Sequence, residues 1–457
     1  VIAIWKYQKI PFLFFSFSCI LYLGFAYSIT RIETTKLLLL YLALFAFAYK
    51  IIKTSGFNFK LLVLFSIVFR VLLLFAIPNL SQDFYRFIWD GRLILEGFNP
   101  YLYTPDSFIK NGVFPIVQAQ ELYNGMGSLS SSHYSNYPPL NQLCFVIANL
   151  FPGQSILNSV IGLRLVIIAA DIGTLYFGKK LLERLKLPAS RIFWYILNPF
   201  IIIELTGNLH FEGVMIFFLI VALYLLHSRK WQWAAVILAC SISVKLIPLM
   251  LLPLFFWWFT STSNQLKGRT KKLGLLKLIL FYTITIATTL LLFLPFFSME
   301  FVTNYSKTVG LWFGNFEFNA SVYYLLRTIG YAITGYNEIA IIGKILPLIS
   351  VVIILGFSFL RQNNSMSKLT TSMLLALTSY LFLSTTVHPW YIATLVILSI
   401  FTNYKFPLVW SLVIVLSYLA YSNSTYSENL WVIALEYAII GSYFIWEVFI
   451  KKRPLVS

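Results

Sequence analysis

The sequence predicts an all-α polytopic membrane protein: a transmembrane helix bundle with an external loop that carries short interfacial helices. Three observations lead there. Of the 457 residues, 59% are hydrophobic and only 11% charged, against about 25% charge in soluble domains. The apolar runs are long and unbroken instead of alternating, which selects helices over a barrel. Lys and Arg outnumber Asp and Glu by 34 to 16, and the excess sits in short loops beside apolar runs. That distribution fits positive-inside topology and contact with anionic membrane lipids, not nucleic acid.

The spans follow from the apolar runs, all within a single membrane domain covering 1–457. Early candidates are 11–30, 37–53 and 59–77, and a middle set is 157–178, 191–205, 212–227, 231–243 and 246–259. Later ones are 278–297, 339–360, 369–386, 390–403, 407–421 and 430–450. Several fall short of the roughly 20 residues a perpendicular span needs, so some neighbours are expected to be halves of broken or tilted helices, and the expected total is about 11–14. The first run follows Lys6 and Lys9 as in a signal peptide, but no small-residue cleavage site is evident, and a retained helix is expected.

Orientation comes from basic clusters: Lys6 and Lys9; Lys50, Lys53 and Lys60; Lys179 to Arg191; Lys267 to Lys277; Arg361 and Lys368; Lys451 to Arg453. All are cytoplasmic in one scheme, provided that 138–152 and 320–334 are re-entrant or interfacial. The scheme puts two large loops, 78–156 and 298–338, on the opposite side. The breaks at 206–211 and 243–246, His388 and 422–429 join them there.

The first external loop, 78–137, organises that side. Leu80 to Gly97 reads as one helix, with Asp83, Arg86 and Asp90 repeating every three or four residues and Gly97 near its C-terminal end. Phe98-Asn99-Pro100-Tyr101 turns the chain. Pro115 to Tyr123 reads as a second short helix and Gly125 to Ser132 as a flexible stretch. Tyr137-Pro138-Pro139-Leu140 enters the next apolar run rigidly, since proline is tolerated at a helix start.

The residues able to do chemistry lie at helix breaks. Asp83 follows the third span; it is either a base toward a hydroxyl or a helix cap. Asp90 is either a second acid or an ion-pair partner of Arg86. Lys245 stands alone in apolar sequence, so it needs an anionic partner, such as a lipid phosphate, or a route to the headgroups. Arg86, Arg92 and Arg164 could grip phosphate oxygens; Arg164 could also simply pair with Asp171, seven residues on. His210 with Glu212, and His388 with Trp390 and Tyr391, sit at two further breaks, where histidine either donates to an oxygen or packs. Tyr85, Trp89, Tyr101, Tyr137, Trp312 and Trp390 could line a sugar or isoprenoid groove, or pack. The three cysteines are far apart and read as packing residues. No closely spaced metal-ligand set occurs, so no metal-binding residue is assigned, and a divalent metal is left open. P-loop, GxGxxG and GxSxG motifs are absent, which argues against direct nucleotide use and acyl hydrolysis.

Taken together, these motifs resemble the multi-spanning GT-C glycosyltransferases that use polyprenyl-phosphate sugars, above all the bacterial polyprenol-phosphate-mannose-dependent mannosyltransferases. The matching stretches are Asp83, Asp90-Gly91-Arg92, Asn99-Pro100-Tyr101, Tyr137 to Leu140, Asn208 to Glu212, Val244 to Pro248 and His388 to Tyr391. Two departures stand out. Ser81-Gln82-Asp83 holds one acid where many relatives show two, and Glu212 occupies its role by position only. The resemblance implies a GT-C-like bundle and inverting transfer of a hexose, with mannose expected. The donor would be a polyprenyl-phosphate sugar, the acceptor a lipid or glycan, on the non-cytoplasmic side of a bacterial plasma membrane. Asp83 would take the acceptor proton, with Asp90 or Glu212 as a second acid. Lys245, Arg86, Arg92 and His388 would hold the phosphate, and Tyr137, His210, Trp390 and Tyr391 would shape the substrate site. All of this requires Asp83 and Lys245 to open on one face. A transporter or flippase of a lipid-linked or sugar substrate is the alternative; it would favour an inverted repeat, and none stands out.

Overall fold

Long apolar helices frame the molecule. The computed structural model describes residues 9–55, 58–261, 269–314, 316–423 and 427–451. Lys6, Lys267, Lys452 and Arg453, used in the orientation scheme, lie outside the described residues, as do the side chains of Arg269, Lys271 and Trp312. Helices α1 (Lys9–Ser28) and α2 (Thr34–Ser55) pack on one another and are followed by α3 (Phe59–Leu72). The segment after α3 folds as α4 (Asp83–Leu95), α5 (Pro105–Ile109), α6 (Ala119–Ser131) and α7 (Pro139–Asn149). Then come α8 (Ile156–Arg184), the bent pair α9 (Pro199–Gly207) and α10 (Glu212–His227), and α11 (Trp231–Val244). An apolar turn segment, Ile247–Thr260, leads into α12 (Arg269–Phe293), α13 (Met299–Gly314) and α14 (Val322–Thr334). Helices α15 (Ile339–Phe359), α16 (Met366–Leu383), α17 (Ala393–Ser399), α18 (Phe406–Val413) and α19 (Leu430–Ile445) complete the described chain.

Six of these helices are long and apolar enough to cross a membrane, and a seventh span arises if the bent pair is counted as one. The chain is thus an all-α polytopic membrane protein. The higher number read from the sequence includes Trp231–Val244, Ile247–Thr260, Pro389–Ser399 and Phe406–Ser422, which are apolar but shorter. The two stretches expected to be re-entrant or interfacial contain α7, of 11 residues, and α14, of 13. Both are well short of a span of roughly 20.

Local chemistry sets the helix starts. Asn58, Ser155, Ser365 and Asn429 each accept a backbone N–H from the first turn of the helix they precede, and Pro139 occupies the first position of α7, where no N–H is needed. Gly125 to Ser132 is not a flexible stretch. It is mostly helical and closes on α4, because a Cβ at Gly125 would lie 2.6 Å from the Tyr85 ring. Gly127, at φ +75°, kinks the helix there, and Gln82 donates to the Met126 carbonyl at 3.0 Å. The helix also begins at Ala119, later than Pro115.

The bend of 114° between α9 and α10 leaves carbonyls without helical partners. Arg164, on α8, fills that need: its guanidinium donates to the carbonyls of Thr206 (2.8 Å), Gly207 (2.9 Å) and Leu74 (2.8 Å). It does not pair with Asp171. That carboxylate instead accepts from Arg70 of α3 at 2.7 Å, with both side chains buried. Arg70 also donates to the carbonyls of Ser66 and Ile196. Two buried arginines thus tie the early helices to the broken pair that reaches the site.

Asp90-Gly91-Arg92 has a structural task at this level. Asp90 accepts from Arg86 and Gln142. Arg92 donates to Asn149, Ser159 and the carbonyls of Val117 and Gln154. Gly91 lets α4 meet α7, since a Cβ would sit 2.6 Å from the Phe145 carbonyl oxygen. Gly91→Ala is expected to lower unfolding stability by about 1–3 kcal/mol through overpacking; thermal unfolding of the detergent-purified protein measures it.

Candidate active site

Asp83 is the first residue of α4, and the preceding Gln82 makes no side-chain cap. The Asp83 amide donates to Ser81 Oγ at 3.3 Å, so Ser81, not Asp83, serves the local backbone. The Asp83 carboxylate makes no hydrogen bond among the described residues and lines a cavity of about 530 Å³. Lys245, Arg86, Tyr137, His388, Trp390 and Tyr391 line the same cavity. Asp83 and Lys245 therefore open on one face, although 162 positions separate them in sequence (245 − 83).

Lys245 follows the last residue of α11, in extended backbone. Its ammonium lies 3.0 Å from Glu212 Oε1 and 5.2 Å from the centre of the Tyr137 ring. Glu212 is 1% exposed and Lys245 is 20%, so the pair is sealed on the acid's side and open on the base's. Neither Glu212 oxygen has a well-directed hydrogen bond. A second cavity, of about 190 Å³, adjoins this pair and shares Asn136, Tyr137, Lys245, Thr386 and Tyr391 with the first. Gly343, Pro347 and Ser350 of the spanning helix α15 line its far wall. Lys245 stands at the junction of a polar chamber and a groove bounded by a membrane helix.

Electrostatics tune Asp83. Burial pushes its carboxyl up to about 6, the Lys245 charge opposes that, and Glu212 adds to it. His388 is held down to about 4 by burial and by the Lys245 charge, so at neutral pH it offers an N–H and a lone pair, not a charge. The His388 ring stacks 4.6 Å from Trp390 and 5.1 Å from Phe318. If Asp83 must be ionised to act, activity rises with pH through an apparent pKa near 6. Glu212→Gln is expected to move that limb to lower pH and Lys245→Met to higher pH; pH–rate profiles of the three proteins provide the check.

The other sequence-predicted residues divide. Arg86 lines the cavity but is engaged by Asp90 at 2.7 Å and by the carbonyls of Ser130 and His133, with Nη2 unpartnered. Asp90 is fully buried behind Arg86 and reaches neither cavity, and Arg92 is committed to the loop contacts above. Neither is brought to the site, because short local partners satisfy both. Glu212 faces the smaller cavity only. His210 is buried, with its ring 3.6 Å from that of Trp390, and it supports the wall without lining it. Of the other groove aromatics, Trp89 and Tyr101 pack in the interior.

Arg31, Tyr418 and Glu204 are not among the residues that the sequence singles out, yet they bear on the site. Arg31 lines the cavity and lies over the Tyr421 ring at 4.8 Å. The signal for it was available, since a cation between the first two spans is on the wrong side for the basic-loop scheme. Tyr418 also lines the cavity and donates to buried Glu204 at 2.8 Å. Glu204 accepts from Asn208 as well, and Asn208 in turn accepts from the Leu80 amide. This chain of contacts fixes the break in the α9–α10 pair against the entry to α4. Among the described residues, no group of three or more His, Cys, Asp or Glu side chains is placed to hold a metal ion.

Comparison with known proteins places this architecture. Residues 23–261 match the family model described as alpha-(1->6)-mannopyranosyltransferase, N-terminal domain. That stretch contains Asp83, Tyr137, Glu212 and Lys245, while His388 to Tyr391 lie beyond it. Two curated relatives are both named alpha-(1->6)-mannopyranosyltransferase A. The chain is 22% identical to the Corynebacterium glutamicum protein over 186 residues, covering 40% of this chain and 36% of that one. It is 20% identical to the Mycobacterium tuberculosis protein over 204 residues, covering 44% and 38%. The matched region thus spans little more than a third of the length of either relative. The family model covers more than half of the chain and agrees with the GT-C mannosyltransferase resemblance read from the motifs, and the protein belongs to the alpha-(1->6)-mannopyranosyltransferase family.

Proposed function

We propose that the protein is a glycosyltransferase that moves mannose from a polyprenyl-phosphate donor to a lipid or glycan acceptor, with inversion, on the non-cytoplasmic side of a bacterial plasma membrane. The observation that carries the reading is the convergence of Asp83 and Lys245 on one cavity that continues into a groove along a spanning helix. A lipid-linked donor needs this arrangement: a polar chamber for the sugar, a cation for the phosphate, and an apolar path for the isoprenoid. Family membership points to mannose as the sugar.

The step balances with these groups alone. Asp83 accepts the acceptor's hydroxyl proton as that oxygen bonds to the anomeric carbon. The bond from that carbon to the phosphate oxygen breaks, and its electron pair leaves with the polyprenyl phosphate. Lys245 stabilises the charge gained there, with His388 as a neutral N–H donor. Phosphate is a good leaving group, so a dedicated general acid is not required. Trp390, Tyr391 and Tyr137 supply aromatic faces for the sugar.

The test is an assay of purified protein in liposomes with polyprenyl-phosphate mannose, glucose and arabinose against lipid and glycan acceptors. Transfer from the mannose donor is expected. Failure with every polyprenyl-linked donor, or turnover with a nucleotide sugar, would overturn the reading.

A further inference from the structure

A further cavity lies away from Asp83. It measures about 780 Å³, within the roughly 300–1,000 Å³ range of small-molecule sites. It opens between the C-terminal half of α2, the turn after α17 and the face of α18. Leu42, Phe45, Ile52, Leu408 and Leu412 contribute to an apolar body. Lys53, Arg191 and Lys405 also line it, and no carboxylate does among the described residues. Lys53 and Lys405 are exposed, and neither ammonium is in an ion pair among the described residues. Arg191 is half-buried and donates to the Thr402 carbonyl at 3.1 Å, which anchors its guanidinium at the mouth.

The position of the cavity matters as much as its lining. Arg31, just before α2, lines the Asp83 cavity, and Lys53, near the end of α2, lines this one. Helix α2 has 22 residues, so at about 1.5 Å per residue the two sites stand roughly 33 Å apart along it, about one bilayer core. Lys53 and Arg191 belong to basic clusters that the sequence assigns to the cytoplasmic side.

We infer that this cavity binds an anionic glycerophospholipid, with its phosphate on Lys53, Arg191 and Lys405 and its acyl chain in the apolar body. Three cations without a lining carboxylate select a negative headgroup, as basic pockets between membrane helices do. A free phosphate would leave the apolar volume unfilled. A polyprenyl-phosphate sugar bound here would hold its reacting carbon a membrane's width from Asp83. The bound lipid would bridge α2 to the turn after α17, two segments otherwise joined across a void.

Native mass spectrometry of the full chain in neutral detergent tests this, with phosphatidylglycerol, phosphatidylcholine and polyprenyl phosphate added separately. Wild-type protein is expected to retain phosphatidylglycerol selectively and to gain thermal stability from it. Lys53→Gln/Lys405→Gln is expected to weaken that binding about tenfold or more, with transfer activity in detergent unchanged. Equal retention of phosphatidylcholine, wild-type affinity in the double variant, or displacement of phosphatidylglycerol by equimolar polyprenyl phosphate would each overturn the inference. A second readout is independent of those substitutions. Trp194 lines the cavity, so phosphatidylglycerol with brominated acyl chains is expected to quench its fluorescence. If Trp194→Phe shows the same total quenching as wild type, the acyl chain is not there.

Discussion

Asp83→Asn is expected to lower turnover by about 10²- to 10⁴-fold, the range for loss of a positioned general base, with no loss of thermal stability. The second half of that expectation follows from the structure. The Asp83 carboxylate makes no hydrogen bond among the described residues and caps no helix, since Ser81 takes the local amide. Burial already disfavours its charge, pushing the carboxyl up to about 6. Asn keeps the shape and removes a charge that the folded protein accommodates at a cost. At pH 7.5 the variant should therefore melt at the same temperature or higher, since a raised carboxyl pKa opposes folding increasingly as pH rises above the unfolded value. Single-turnover rates with saturating polyprenyl-phosphate mannose, alongside thermal melts, separate the two effects. Wild-type rates in a folded Asp83→Asn protein would remove Asp83 from the chemistry. A large drop in melting temperature would show that the carboxylate holds structure instead.

The sequence was most informative where a single physical quantity dominates. Hydropathy and charge density specify a helical membrane bundle, because hydrocarbon forbids unpaired backbone. Isolated polar residues at helix breaks were also readable, and Asp83, Lys245, Tyr137, His388, Trp390 and Tyr391 do share a cavity. What could not be read was partner choice. Arg164 and Asp171 share a helix face seven residues apart, yet Arg70, 101 positions away from Asp171, takes the carboxylate, because the broken α9–α10 pair needs Arg164 for its carbonyls. Asp90 and Arg92 look as reactive in sequence as Asp83 does. Only packing reveals that Arg86 and Gln142 seal the first, and that loop carbonyls with Asn149 and Ser159 hold the second. Gly125 to Ser132 misled for a related reason. Its glycines serve close approach to Tyr85 and one kink, so a composition typical of a loop belongs to a packed helix.

Lys245→Gln is expected to reduce turnover by about 10²- to 10³-fold, the loss typical of removing one preorganised stabiliser of developing negative charge, and to lower the melting temperature as well. The two losses have different origins, and the geometry provides a way to separate them. Glu212 is buried with no well-directed hydrogen bond, and Lys245, 3.0 Å away, is its ion-pair partner. Removing the cation strands that carboxylate, which destabilises whatever the cation does for substrate. Removing both charges in Lys245→Gln/Glu212→Gln eliminates the stranded group, and stability should return toward wild type. If Lys245 holds the donor phosphate, activity stays low in the refolded double variant and the Michaelis constant for the donor stays raised. If Lys245 serves only to neutralise Glu212, activity returns together with stability. The pair is suited to discriminate because its exposure is lopsided: the acid is sealed, while the ammonium looks into both cavities. A cation needed only as a counter-ion would be best buried with its partner. One kept open to a polar chamber and a membrane-side groove has coordination left to offer an incoming phosphate.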